Sequence, residues 1–220
     1  MRGRGMMKAM WTAIEWTAFG AVLSGIGTVV GALAVICAAR YASDTFDGWR
    51  QQKLSERNMG QAERILTAAY KARRALNYVR SPWMYPHEKT KAEELLEKQH
   101  GWTTSSKKQN LITVQAYYNR LDAVHEERQA VEECLPMARA LFGEQVEKAL
   151  DTLYQQFQLV RNAAEMSDID EDDKELARKV REDLSTASGN DRPNKMNVLI
   201  EEQVNLIENQ LSPILRLEAK

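Results

Sequence analysis

Apolar residues recur at alternating spacings of three and four along four stretches, the pattern of helices that bury one face. The first holds Ala62, Ile65, Ala69, Ala72, Leu76 and Val79. The second holds Val114, Tyr117, Leu121, Val124, Val131, Leu135, Ala138 and Phe142, interrupted by Arg128, and Pro136 is expected to bend or break it. The third holds Val146, Leu150, Leu153, Phe157, Val160 and Ala164; the last holds Ile200, Val204, Ile207, Leu211 and Ile214, with Pro213 near its end. Shorter helices are expected at about 88–99 and 172–185, the latter carrying Leu176, Val180 and Leu184. Ser81-Pro82, Pro86, Gly101, Gly143, Ser167-Asp168 and the run from Gly189 to Pro193 supply the turns. No alternating β-branched run reads as a strand, so an all-α bundle with coiled-coil-like seams follows.

Upstream the pattern changes kind. Trp16 to Ala39 is 24 positions without a charge, roughly 36 Å of helix against a hydrocarbon core of about 30 Å. It reads as a transmembrane helix, with Trp11 and Trp16 at one end and Tyr41 and Arg40 at the other. A cleaved signal peptide is the rival, given the basic residues Arg2, Arg4 and Lys8, but the apolar run is too long for one and Ile36 disfavours lipoprotein processing. Small residues recur through the segment at Ala13, Thr17, Gly20, Ser24, Gly27, Gly31, Ala34 and Ala38. Such a seam lets helix backbones approach in lipid. The competing explanation is compositional, because small residues are frequent throughout this segment.

Between the two patterns lies Arg50 to Asn58, polar nearly all round. It reads as a stalk; a helix running on from residue 40 to 80 would reach roughly 60 Å. Arg50, Arg57, Arg64 and Lys71 recur every seven residues and form a basic stripe, explained most simply as a solvated face or as partners of acidic helices. After the stalk helix, Pro82 to His87 places Trp83, Met84 and Tyr85 in a loop, with Trp102 expected nearby. These aromatics either anchor a partner or cap the end of the bundle core; the second is the expectation here.

Composition hides this partition. The chain of 220 residues is 44% hydrophobic with a net charge of -1, which would suit one soluble domain. Along the chain, Lys and Arg outnumber acids four to one in 1–40 and eight to four in 41–80, whereas 81–220 holds 18 against 26. A balanced total argues against a general nucleic-acid binder. Only Cys37 and Cys134 are present, too far apart in the pattern for a disulfide scaffold. An unpaired Cys134 favours a cytoplasmic bundle, while the basic residues flanking the span, three before and four after, barely discriminate.

Chemistry is harder to find. Asp168 to Asp173 begins like a calcium loop, but Asp173 stands where Gly is needed and Lys179 where the closing Glu belongs. An acidic helix N-terminus explains the run better. Glu97 with His100, and Asp122 with His125, have the spacing of di-iron bundles without the further core carboxylates such a site requires. With no nucleophile motif and no phosphate loop, neither an enzyme nor a cofactor is expected.

The run Phe46 to Arg57, followed by the helix ending Tyr78-Val79-Arg80-Ser81-Pro82-Trp83, resembles bacterial proteins of a family of unknown function with one N-terminal membrane helix and a helical remainder. The resemblance implies bacterial or prophage origin and a single-pass topology in the inner membrane, and brings no activity. The resulting expectation is a basic tail (1–15), a transmembrane helix (16–40), a polar stalk (41–60) and a helical bundle (61–220). It would serve as a membrane-anchored interaction or scaffold protein, with the bilayer and copies of itself or other membrane subunits as partners. No nucleic acid and no small-molecule substrate is evident. The alternatives are a pore-forming effector with a sensing bundle and, more remotely, a di-metal enzyme.

Overall fold

The computed structural model describes residues 3–100, 105–167, 174–188 and 192–216. Among these the chain forms seven helices and no strand: α1 (Gly3–Val79), α2 (Pro86–His100), α3 (Ser105–Ala123), α4 (His125–Phe142), α5 (Glu144–Met166), α6 (Lys174–Leu184) and α7 (Lys195–Leu215). Internal contacts divide it into two units, Met1–Glu56 and Arg57–Lys220, each treated by itself below.

In the first unit every residue from 19 to 56 is exposed. An 18-residue window of α1 reaches a mean hydropathy of 2.2 with none of it buried, so the helix is long and apolar enough to be a candidate membrane span. The region read as a stalk is helical and part of that continuous helix, since neither Pro nor a clustered breaker interrupts 41–79.

The second unit is built on the stripes. Ala62, Ile65, Ala69, Ala72, Leu76 and Val79 are all fully buried, and so are Val146, Leu150, Leu153 and Val160 on α5, with Ile200, Val204, Ile207 and Leu211 of α7 beside them. α5 sits at the centre, packed against α3, α4, α6 and α7. Removing a large side chain at such a position, Phe157 for example, costs about 3–5 kcal/mol. A small satellite core joins α2 to α3 through Ala92, Leu96, Ile112 and Ala116, and Met84 packs against both cores.

The second stripe breaks elsewhere than Pro136. Val124 leaves helical geometry at φ -111° and ψ 23°, separating α3 from α4. Pro136 lies inside α4. It is exposed, so the carbonyl freed by its missing N–H faces water. The connection from α4 to α5 is likewise a single residue, Gly143, at φ 92° and ψ 177°, backbone space that essentially only glycine occupies. No side chain caps α5; Glu144 and Glu147 in its first turn offset the helix dipole instead.

Candidate functional site: an uncovered apolar helix and an arginine-held loop

Two features stand out, one in each unit. In the first, Phe19, Val22, Leu23, Ile26, Val29, Val30, Leu33 and Ile36 are all more than half exposed and point to all sides of α1. The residues of the small seam that the structure describes in full, Gly20, Ser24, Gly27, Gly31, Ala34 and Ala38, are exposed as well. A Cβ built on Gly20, Gly25, Gly27 or Gly31 would meet nothing within 4 Å. The seam is therefore open to a second helix. Thr28 donates its hydroxyl to the Ser24 carbonyl at 2.9 Å, which satisfies its polarity inside the helix. Beyond the apolar run Tyr41, Phe46 and Trp49 are exposed, and the Phe46 and Trp49 rings lie 5.9 Å apart. At this end of the apolar run the sequence reading named only Tyr41 as an interfacial aromatic; the spacing of three between Phe46 and Trp49 places them on one helix face.

In the second unit the loop after α1 is held from beneath by Arg120 of α3, whose side chain is 3% exposed. Its guanidinium donates to the backbone carbonyls of Val79 (3.2 Å), Ser81 (2.9 Å) and Trp83 (2.6 Å), and pairs with the carboxylate of Glu88. Glu88 also accepts from the Tyr85 backbone N–H at 2.8 Å. The Arg120 hydrogen bonds hold the Glu88 carboxyl below the ordinary carboxylate range, against the opposing effect of burial. Val79, Ser81, Trp83 and Tyr85 are thus tied through their backbones to α3 or α2.

The result corrects the expectation that the loop aromatics cap the bundle. Met84 does turn inward, but Trp83 is 79% exposed and Tyr85 62%. The backbone beneath them spends its carbonyls on Arg120, so the two rings are left outside. Trp102 lies outside the described residues, as does the acidic run 168–173.

Arg80, the residue after α1, was not singled out from sequence at all, and it is fully buried. Its Nε donates to the Asp183 carbonyl (2.8 Å), Nη1 to Asn197 Oδ1 (2.6 Å), and Nη2 to the Ser185 carbonyl (2.7 Å) and Asn194 Oδ1 (2.9 Å). These are the end of α6 and the cap of α7, where Asn194 in turn accepts from the Asn197 N–H. Its acceptors among the described residues are all uncharged oxygens, and burial pulls the guanidinium down to about 10.

The basic stripe splits. Arg64 pairs with Glu133 of α4 at 2.7 Å, while Arg50, Arg57 and Lys71 are exposed. Cys134 is 2% exposed and burial raises its thiol, so its unpaired state says little about compartment. Among the described residues no three His, Cys, Asp or Glu side chains converge as metal ligands. His125 is exposed beside Arg128, and the side chain of His100 is outside the description. Comparison with protein-family models, curated proteins and solved structures finds no match.

Proposed function

We propose that this protein is a membrane-anchored helical interaction protein that self-associates, or docks on a larger membrane complex, through its N-terminal helix. The observation that supports it is the uncovered apolar helix: nine large apolar side chains between Phe19 and Ile36 are exposed at 57–69%. Exposed surface of this kind is stable only in lipid or against a partner. The open small-residue seam offers the contact, because packing rather than hydrophobicity drives helix association in lipid. The bundle is proposed to lie in the cytoplasm of a bacterial cell, a topology that reporter fusions at residue 220 would assign.

Size determination of the full chain in mild detergent tests the association. Gly27→Leu with Gly31→Leu is expected to reduce the particle to a smaller species. An unchanged size would remove the seam from the reading.

A further inference from the structure

A groove of about 1070 Å³ opens in the second unit where the end of α6, the start of α7 and α3 meet beside Pro82. Its size lies just above the usual range of small-molecule sites, about 300–1000 Å³. Among the described residues four cations line it, Arg178 and Arg181 from α6 and Arg192 and Lys195 flanking the cap of α7, against one carboxylate, that of Glu182. Among the described residues none of the four forms an ion pair; Arg181 donates its Nε to the Ala177 carbonyl of its own helix, leaving the rest of its fork unspent.

The floor is an independent pointer to an anion. Ser185 and Asn194 line the groove, and both are hydrogen-bonded from behind by Arg80. Arg80 is a fully buried cation whose hydrogen-bond acceptors are all neutral, and the carboxylates of Asp183 and Glu182 offset its charge only through space, so part of its positive potential reaches the floor. The same bonds pre-set the wall, so binding need not order it. Hydroxyls add donors: Thr113, Ser185 and Ser188 line the groove, and Ser185 Oγ already accepts from the Ala187 N–H, which frees its proton for a ligand.

We propose that this groove binds a small phosphate-bearing molecule with at least two negative charges, no larger than a nucleotide. Two arginines three apart on one helix face, a second basic pair opposite and hydroxyls between them match an anion with several oxygens better than a lone carboxylate. A long polyanion is disfavoured, because residues 81–220 as a whole hold 26 acids against 18 basic residues.

Calorimetric titration of the full chain in neutral detergent at low salt, with inorganic pyrophosphate as the probe, tests this. Saturable binding is expected. Arg178→Ala with Arg181→Ala should weaken it about tenfold or more, and Glu182→Gln should tighten it about twofold to fivefold. That gain is one a misfolded variant could not produce. Lys89→Ala with Lys91→Ala, a matched loss of charge on α2 outside the groove, should leave the affinity within about twofold. Three outcomes overturn the proposal: no saturable heat at millimolar pyrophosphate, equal losses in the α2 control, or a Glu182→Gln variant no tighter than wild type. Glycerophosphoglycerol, a monoanionic diester, binding as tightly as pyrophosphate would reassign the groove to lipid headgroups, and hexaglutamate doing so would reassign it to acidic peptides.

Discussion

Arg120 holds Glu88 at two points, Nε to Oε1 and Nη2 to Oε2, each at 2.8 Å, with side chains only 3% and 14% exposed. The pair links α3 to α2, and the same guanidinium fixes the carbonyls of the loop between α1 and α2. Breaking it from one side strands a buried charge. Arg120→Ala is therefore expected to cost about 3–5 kcal/mol. Arg120→Lys should recover only part of that, since an ammonium cannot reproduce the fork. Chemical denaturation followed by circular dichroism measures both.

The same pair sets an acid dependence. Glu88 ionises more readily folded than unfolded, so its contribution is present above the ordinary carboxylate value of about 4.3 and is lost as pH falls through the lower, folded value. Asp183 opposes it, because burial raises its carboxyl. Glu88→Gln should flatten the acid limb of stability against pH, and Asp183→Asn should steepen it. A limb unaltered by Glu88→Gln would remove the pair as its source.

Two glycines should respond with opposite signs. Gly143→Ala forces a Cβ onto φ 92° and is expected to lose about 1–3 kcal/mol, although no neighbouring atom obstructs the methyl. Gly60 lies in the helical interior of α1 with open space around it, so Gly60→Ala should gain about 0.5–1 kcal/mol. Melting temperatures of the two variants, compared with wild type, read the difference directly.

The loop separates a structural residue from displayed ones. Met84→Ala should lower stability by about 1–2 kcal/mol, as it unseats the contact between the two cores. Trp83→Ala with Tyr85→Ala should change it by less than about 0.5 kcal/mol, since both rings are largely exposed. If the loop belongs to the association surface, the double variant lowers particle size in detergent while melting as wild type does. Loss of stability in the double variant would return the aromatics to a packing role.

Cys134 should resist alkylation until the bundle opens. Its side chain is buried and its thiol raised, both of which suppress the reactive thiolate. Cys37 is exposed, so the test uses a Cys37→Ser chain; its reaction at the rate of a free thiol while folded would contradict the packing around Cys134.

Much of the fold was legible one residue at a time. Ile65, Leu150 and Ile207 sit in stripes of period 3.6, and a helix that must bury an apolar stripe has few ways to do so. The break at Val124 was not legible, because Pro136 is the stronger local signal while the position of a helix end depends on what packs around it. Arg80 and Arg120 were missed for a related reason. A sequence shows that an arginine is charged, not whether helix ends from distant parts of the chain converge on it, as 182–186 and 194–197 do on Arg80.

The sequence by itself determined the helical class, the apolar segment from Trp16 to Ala39 and the faces each bundle helix buries, since periodicity and length are local properties of the chain. Tertiary structure alone decided which polar side chains became structural and which stayed free. Arg120 is consumed by the loop beneath Trp83, Arg80 by the ends of α6 and α7, and Arg178, Arg181, Arg192 and Lys195 are left facing a groove without an acidic partner among the described residues. The physical reason is that hydrogen bonds and charge pairs act over a few ångströms, so their partners exist only once residues a hundred positions apart have been brought together.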